Sequence, residues 1–285
     1  MKGLGTALVT PFLENGEVDY SALGTLIEHQ IAGGTDYLVI LGTTSEVPTL
    51  TRKEQDDIVS FVVKQVAGRM PLVLGIGGNS TAAVVERITE LKDTLVEHFS
   101  AILSVTPYYN RPQQEGLYLH FSEVAKASPV PVILYNVPKR TGVNLLPETT
   151  RRIYDAHPEK IMGIKEACGS LEQFAETVAV SKGDFAVISG DDDLAYEMVK
   201  AGGVGLISVA SNAWPKEMKQ IVSEQDAVMQ SKMGHRIHLL FVEGNPSGIK
   251  TVLAEMGMIK NVLRLPMVPC TANTQMVIRR ALAQG

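Results

Sequence analysis

Eight short apolar runs, each closed by a turn-prone or polar cluster, recur along the chain and constrain its fold more than any other feature. They are LGTALVTPF from residue 4, TDYLVILGT from 35, PLVLGIGG from 71, SAILSVTPYY from 100, VPVILYNVP from 130, KIMGIKEA from 160, FAVISGDD from 185 and GVGLISVASN from 203. The runs are continuous rather than alternating, as strands covered on both faces are. Between them lie segments of helical period, such as SALGTLIEHQIAG, TRKEQDDIVSFVVKQVAG and STAAVVERITELKDTLVEHF, several opening with Ser or Thr followed by an acid, the chemistry of a helix N-terminus. For most of the chain the strands start roughly 30 residues apart, the size of a βα unit, and eight such units close into a (β/α)8 barrel. A six-stranded doubly wound sheet is the alternative.

At 285 residues and 45% hydrophobic content the chain can bury one large core or two modest ones, and barrels often reach this length as a single domain. The barrel is expected over residues 1–215. Residues 216–285 hold no further strand-like run but several helical ones, with breaks at Asn245-Pro246 and Pro266, and are expected to form a C-terminal helical extension of the same continuous domain.

The formal charge of −5 and the lack of a basic cluster argue against nucleic-acid or anionic-membrane partners and for a small-molecule substrate. Cys168 and Cys270 lie far apart in a large chain with no signal-peptide pattern, which points to free thiols in a reducing, cytoplasmic setting. No run reaches the ~20 apolar residues of a membrane span.

In a barrel the reactive groups gather at the carboxyl ends of the strands, and those ends read GTTSE, TPYYN, YNVPKRTG, IKEACG, SGDD and ISVASN. Lys165 stands near the end of the sixth run. Burial there disfavours its charged form, and a neutral amine attacks a carbonyl carbon to give a Schiff base. Pairing with Glu166 or a neighbouring acid is the structural alternative. Tyr135, one strand earlier, is a phenol able to shuttle protons for imine chemistry. GTTSE offers the hydroxyls of Thr43 and Thr44 and consecutive N–H groups as a seat for a carboxylate, or else caps a helix. Arg140 is a fork for a second carboxylate, or a surface ion pair. GIGGNS does not complete a dinucleotide fingerprint, because Ser80 occupies the last glycine position. HRIH at 235–238 lacks a third metal ligand, and GDDD at 190–193 either binds a cation or caps a helix.

With GTTSE, TPYYN, YNVPKRTG and GIKEA in order at successive strand ends, the whole chain resembles the dihydrodipicolinate synthases, of the pyruvate-dependent class I aldolase family that also contains N-acetylneuraminate lyase. The resemblance implies that Lys165 forms an imine with pyruvate, that no external cofactor or metal is needed, and that Tyr135 donates and accepts protons. It implies that Thr43 links Tyr135 to Tyr109 in a relay, with Tyr109 reaching into a neighbouring subunit's site. Thr43 and Thr44 would hold the pyruvate carboxylate. Gly190 and Ile207 would line the substrate site, Ile207 through its backbone, and Arg140 would receive L-aspartate 4-semialdehyde. The implied reaction lies on the lysine and diaminopimelate route and makes 4-hydroxytetrahydrodipicolinate; the implied assembly is a homotetramer, a dimer of dimers. A related lyase acting on N-acetylneuraminate or a 2-keto-3-deoxy sugar acid would share Lys165 and Tyr135 but not need Arg140.

The chain departs from the family pattern at two places. Ser45 replaces the usual glycine of GTTGE, so it is expected to take up backbone angles that glycine ordinarily supplies. Ala83, Arg52 and Gln55 stand where lysine-inhibited members carry a glutamate and histidines, so lysine feedback is expected to be weak or absent.

Overall fold

In the computed structural model, which describes residues 1–181 and 183–284, all eight apolar runs are strands. They are β1 (Gly3–Ala7), β2 (Tyr37–Ile40), β3 (Leu72–Gly75), β4 (Ala101–Val105), β5 (Val132–Asn136), β6 (Ile161–Glu166), β7 (Ala186–Ser189) and β8 (Gly205–Ser208). They close in sequence order into a barrel, which decides between the two folds that the spacing allowed. Every residue of β2, β5, β7 and β8 is buried, so their apolar runs are unbroken because both faces are covered.

By contact density the chain divides into two compact units, one comprising Met1–Gly3 with Pro71–Ile207, the other Leu4–Met70 with the chain from Ser208 onward. In the first unit β3 through β8 pair in parallel, and Gly3 N–H donates to Val204 O at 2.9 Å. The β5–β6 pairing slips by one residue. Val132 faces Ile161 and Ile133 faces Gly163, so Met162 is the extra residue of a bulge. Without that slip Tyr135 would face Ile164; with it, Tyr135 faces Lys165 and Asn136 faces Glu166. Gly163 is where two strands approach closely, since a Cβ there would lie 2.2 Å from Ala186 O.

The second unit holds β1 paired with β2, and the helices Tyr20–Ala32, Arg52–Val66, Pro215–Glu224, Ala227–Leu239, Ser247–Glu255 and Ala272–Ala283. Helix Arg52–Val66 opens on a capping box, Thr51 accepting from the N–H of Glu54 while the Glu54 carboxylate accepts from the N–H of Thr51. The helical stretch PKEMKQIVSEQDAVMQSKM forms two helices. Gln225 ends the first in the left-handed region at φ 52°, and Asp226 caps the second by accepting from Met229 N–H. STAAVVERITELKDTLVEHF likewise breaks at Leu91 into Thr81–Glu90 and Lys92–His98. Among the described residues no helix is long and apolar enough to cross a membrane.

Candidate active site

Side chains alternate along a strand and register partners share a face, so the slip at Met162 puts Tyr135 and Lys165 on one face and Asn136 and Glu166 on the other. Lys165 is 6% exposed and Tyr135 7%, and the lysine Nζ lies 4.5 Å from the centre of the phenol ring. Gly190 follows β7 directly, and its N–H donates to Glu166 O at 2.8 Å. A Cβ at Gly190 would sit 2.9 Å from Lys165 Cε and 2.6 Å from Ala167 Cβ, so any larger residue would push the lysine chain aside. Ile207 lies fully buried in β8.

Glu166 is not the partner of Lys165. Its side chain turns to the other face, is fully buried, and accepts from Asn136 Nδ2 at 2.9 and 3.1 Å, from Cys168 N–H at 3.0 Å and from Gln173 Nε2 at 3.2 Å. Burial raises this carboxyl to about 7, against the lowering effect of those donors. The same burial pushes the Cys168 thiol up to about 12, which leaves it protonated and unreactive near neutrality. Both cysteines are free thiols. Asp191 is likewise raised by burial, and the N–H of Gly169 and the charges of Lys139 and Lys165 work against that rise. Its carboxylate accepts from Gly169 N–H at 3.0 Å and makes no side-chain cap on the turn Asp192–Leu194. No group of three or more potential metal ligands occurs among the described residues.

Arg140 lies exposed in the short helix Pro138–Thr141 that follows β5. Tyr109 is 89% exposed, with φ 73° on a loop where its N–H donates to Thr141 O at 3.3 Å. Arg111, also left-handed at φ 48°, donates Nε to Gly142 O at 2.9 Å, so this loop is tied to the one that carries Arg140.

In the second unit, Thr43–Ser45 forms a tight 3₁₀ turn after β2. Thr44 is 2% exposed and its hydroxyl accepts from Asn245 Nδ2 at 3.0 Å, which leaves the hydroxyl proton to be donated elsewhere. Ser45 does not carry the backbone burden expected of it. The left-handed residue is its neighbour Glu46 at φ 55°, and the Ser45 hydroxyl donates to Leu8 O at 2.6 Å. Glu46 holds a partner that the sequence did not suggest, Lys250 at 2.5 Å, and accepts from Arg264 N–H at 3.2 Å. Lys250 and Arg264 lie over the same ring, Phe12, at 4.0 and 4.5 Å.

The chain matches the family model described as the Dihydrodipicolinate synthetase family over residues 1–285. It is 46% identical to the 4-hydroxy-tetrahydrodipicolinate synthase of Parabacteroides distasonis, with 100% of this chain and 97% of the relative covered. It is 44% identical to that of Porphyromonas gingivalis, with the same coverage. Among solved structures, the dihydrodipicolinate synthase of Thermotoga maritima superposes with a TM-score of 0.95 at 38% identity, covering 100% of this chain and 98% of that one.

Proposed function

The chain belongs to the dihydrodipicolinate synthetase family, and from that membership we propose that it joins pyruvate to L-aspartate 4-semialdehyde, giving 4-hydroxytetrahydrodipicolinate. The observation that carries the reading is the buried pairing of Lys165 with Tyr135, an amine 4.5 Å from a phenol ring on adjoining strands.

The Lys165 amine attacks the keto carbon of pyruvate. Loss of water from the carbinolamine leaves an imine, and loss of a methyl proton converts it to an enamine. The enamine carbon forms a bond to the aldehyde carbon of the second substrate, whose oxygen takes up a proton. The amino group of that substrate then attacks the imine carbon, closes the ring and expels Lys165 as the free amine. Each of these proton movements needs a group able both to give and to accept, the role assigned to Tyr135. No external cofactor enters, because the lysine imine is itself the electron sink.

The hydroxyls of Thr43 and Thr44 are assigned to the pyruvate carboxylate, supported by the donation of Asn245 to Thr44, which orients that hydroxyl as a donor. Thr43 is further assigned to pass protons between Tyr135 and Tyr109. Gly190 and Ile207 are assigned to the walls around the bound pyruvate. Arg140 is assigned to the carboxylate of L-aspartate 4-semialdehyde, supported by its place on the short helix after β5. Its planar fork suits a carboxylate. Tyr109 is assigned to a neighbouring subunit's site in a cytoplasmic homotetramer, a dimer of dimers, supported by its exposure.

The test is a coupled assay of aldehyde consumption with pyruvate, with retro-aldol cleavage of N-acetylneuraminate and 2-keto-3-deoxy sugar acids assayed in parallel. Condensation with the aldehyde, lost on Arg140→Ala while pyruvate still binds, is expected. Cleavage of sugar acids with no condensation would overturn the assignment.

A further inference from the structure

We propose that Glu166 is a positioning residue for this reaction, one buried acceptor that fixes both Lys165 and the loop leaving Arg140. The inference rests on Lys165 being the imine-forming residue. Asn136 and Glu166 form the rung directly after Tyr135 and Lys165, on the opposite face of the same two strands. Whatever holds that rung therefore holds the backbone from which the amine and the phenol project.

The holding is by a closed set of hydrogen bonds. Asn136 Nδ2 donates to both oxygens of Glu166, and its Oδ1 accepts from Leu145 N–H at 3.0 Å. Asn136 Nδ2 also donates to Asn144 Oδ1 at 2.8 Å. Asn144 Nδ2 donates to Gln173 Oε1 at 2.7 Å, and Gln173 Nε2 returns to Glu166 Oε2. The loop at 143–145 follows the short helix Pro138–Thr141, so the carboxylate that anchors β6 also anchors the exit of the segment bearing Arg140. Cys168 N–H and Gly190 N–H close the ring, the first on the Glu166 side chain and the second on its backbone oxygen, so the turn after β6 and the end of β7 hang from the same residue. The groups that hydrogen-bond to the carboxylate oxygens, Asn136 Nδ2, Cys168 N–H and Gln173 Nε2, are donors. An amide in place of the carboxylate would turn an N–H₂ toward one of them and break the set.

The roles of donor and acceptor are interchangeable in principle. The double variant Asn136→Asp with Glu166→Gln keeps both shapes and reverses the bond between them; the amide oxygen at 166 still accepts from Cys168 N–H, and turning over the Asn144 and Gln173 amides reverses the rest of the ring, so it is the rescue that a positioning role requires. The experiment measures the rate of borohydride-trapped pyruvate adduct on Lys165, together with kcat and the KM for L-aspartate 4-semialdehyde, in folded wild-type, Glu166→Gln and double-variant protein. The expected result is a slowing of adduct formation by about tenfold and a several-fold rise in that KM for Glu166→Gln, with much of both recovered in the double variant. Wild-type rates and KM in a folded Glu166→Gln protein would overturn the proposal, as would a double variant no better than the single one. If Glu166→Gln does not fold, Gln173→Met removes one donor from the carboxylate without altering it. A two- to threefold slowing there supports the proposal and an unchanged rate overturns it. Failure of the wild-type protein to form any adduct would overturn both this inference and the reading it rests on, a result distinct from equal rates in wild type and variant.

Discussion

Glu46 and Lys250 form an ion pair at 2.5 Å with the lysine side chain fully buried and the glutamate 1% exposed. It joins the turn Thr43–Ser45, through the left-handed residue that ends it, to helix Ser247–Glu255. Burial pulls the Lys250 ammonium down to about 8, against the raising effect of Glu46.

Removing one member of this pair strands the other in the interior. Glu46→Gln and Lys250→Met are each expected to cost about 3–5 kcal/mol of stability, as broken buried pairs do. The double variant is expected to cost much less than the sum, because neither charge remains. Urea unfolding of all four proteins in a double-mutant cycle measures the coupling, and additive costs would show that the pair does not act as one.

Glu166 makes the folded protein bind a proton that the unfolded chain has released. Its carboxyl is raised from 4.5 to about 7, so between those values the folded state holds more protons and stability falls as pH rises. The contribution is fully present below pH 4.5 and gone above about 7, a swing on the order of 3 kcal/mol by the usual cost per pKa unit. Glu166→Gln cannot titrate. The stability difference between wild type and Glu166→Gln, followed by urea unfolding from pH 4.5 to 7.5, is expected to move by that amount against the wild type; a flat difference would contradict it.

His120 pulls the other way. Burial lowers its imidazole from 6.5 to about 4, and its Nδ1 lies 2.9 Å from Thr81 Oγ1. In that window the unfolded chain binds the extra proton, so stability is lost as pH falls from 6.5 toward 4. Replacing the ring by asparagine, which keeps a polar partner for Thr81, is expected to make the acid limb of a thermal-melt series shallower than in wild type.

Lysine is expected to inhibit weakly or not at all. Ala83 offers no carboxylate for an ammonium, Arg52 carries the wrong charge, and the Gln55 amide is engaged with Leu50 O at 3.2 Å. Initial rates across a lysine series check this, and half-inhibition below a millimolar would refute it.

The barrel was legible because strands buried on both faces write unbroken apolar runs, and Lys165 stood out as a charge inside one of them. Tyr135 was legible as a strand-end phenol one βα unit earlier. The slip at Met162 was not, since nothing about methionine marks a bulge, yet it decides which residue Tyr135 faces. Glu166 stands in the sequence as a partner for its neighbour Lys165, although the alternation of side chains along a strand puts adjacent residues on opposite faces. The signal that it served another group was the polar Asn136 at the matching place in the preceding run. Lys250 left no mark at all. It sits in an ordinary helical pattern, and its partner Glu46 lies at the other end of the chain.

The imine proposed between Lys165 and pyruvate can be trapped by reduction. The protein is incubated with pyruvate and borohydride, its intact mass is measured and the modified peptide mapped, beside a pyruvate-free control and Lys165→Ala. One reduced pyruvate adduct per chain, confined to Lys165 and absent from the variant, is expected. A folded wild-type protein with no adduct, or with the adduct on another lysine such as Lys250, would contradict it.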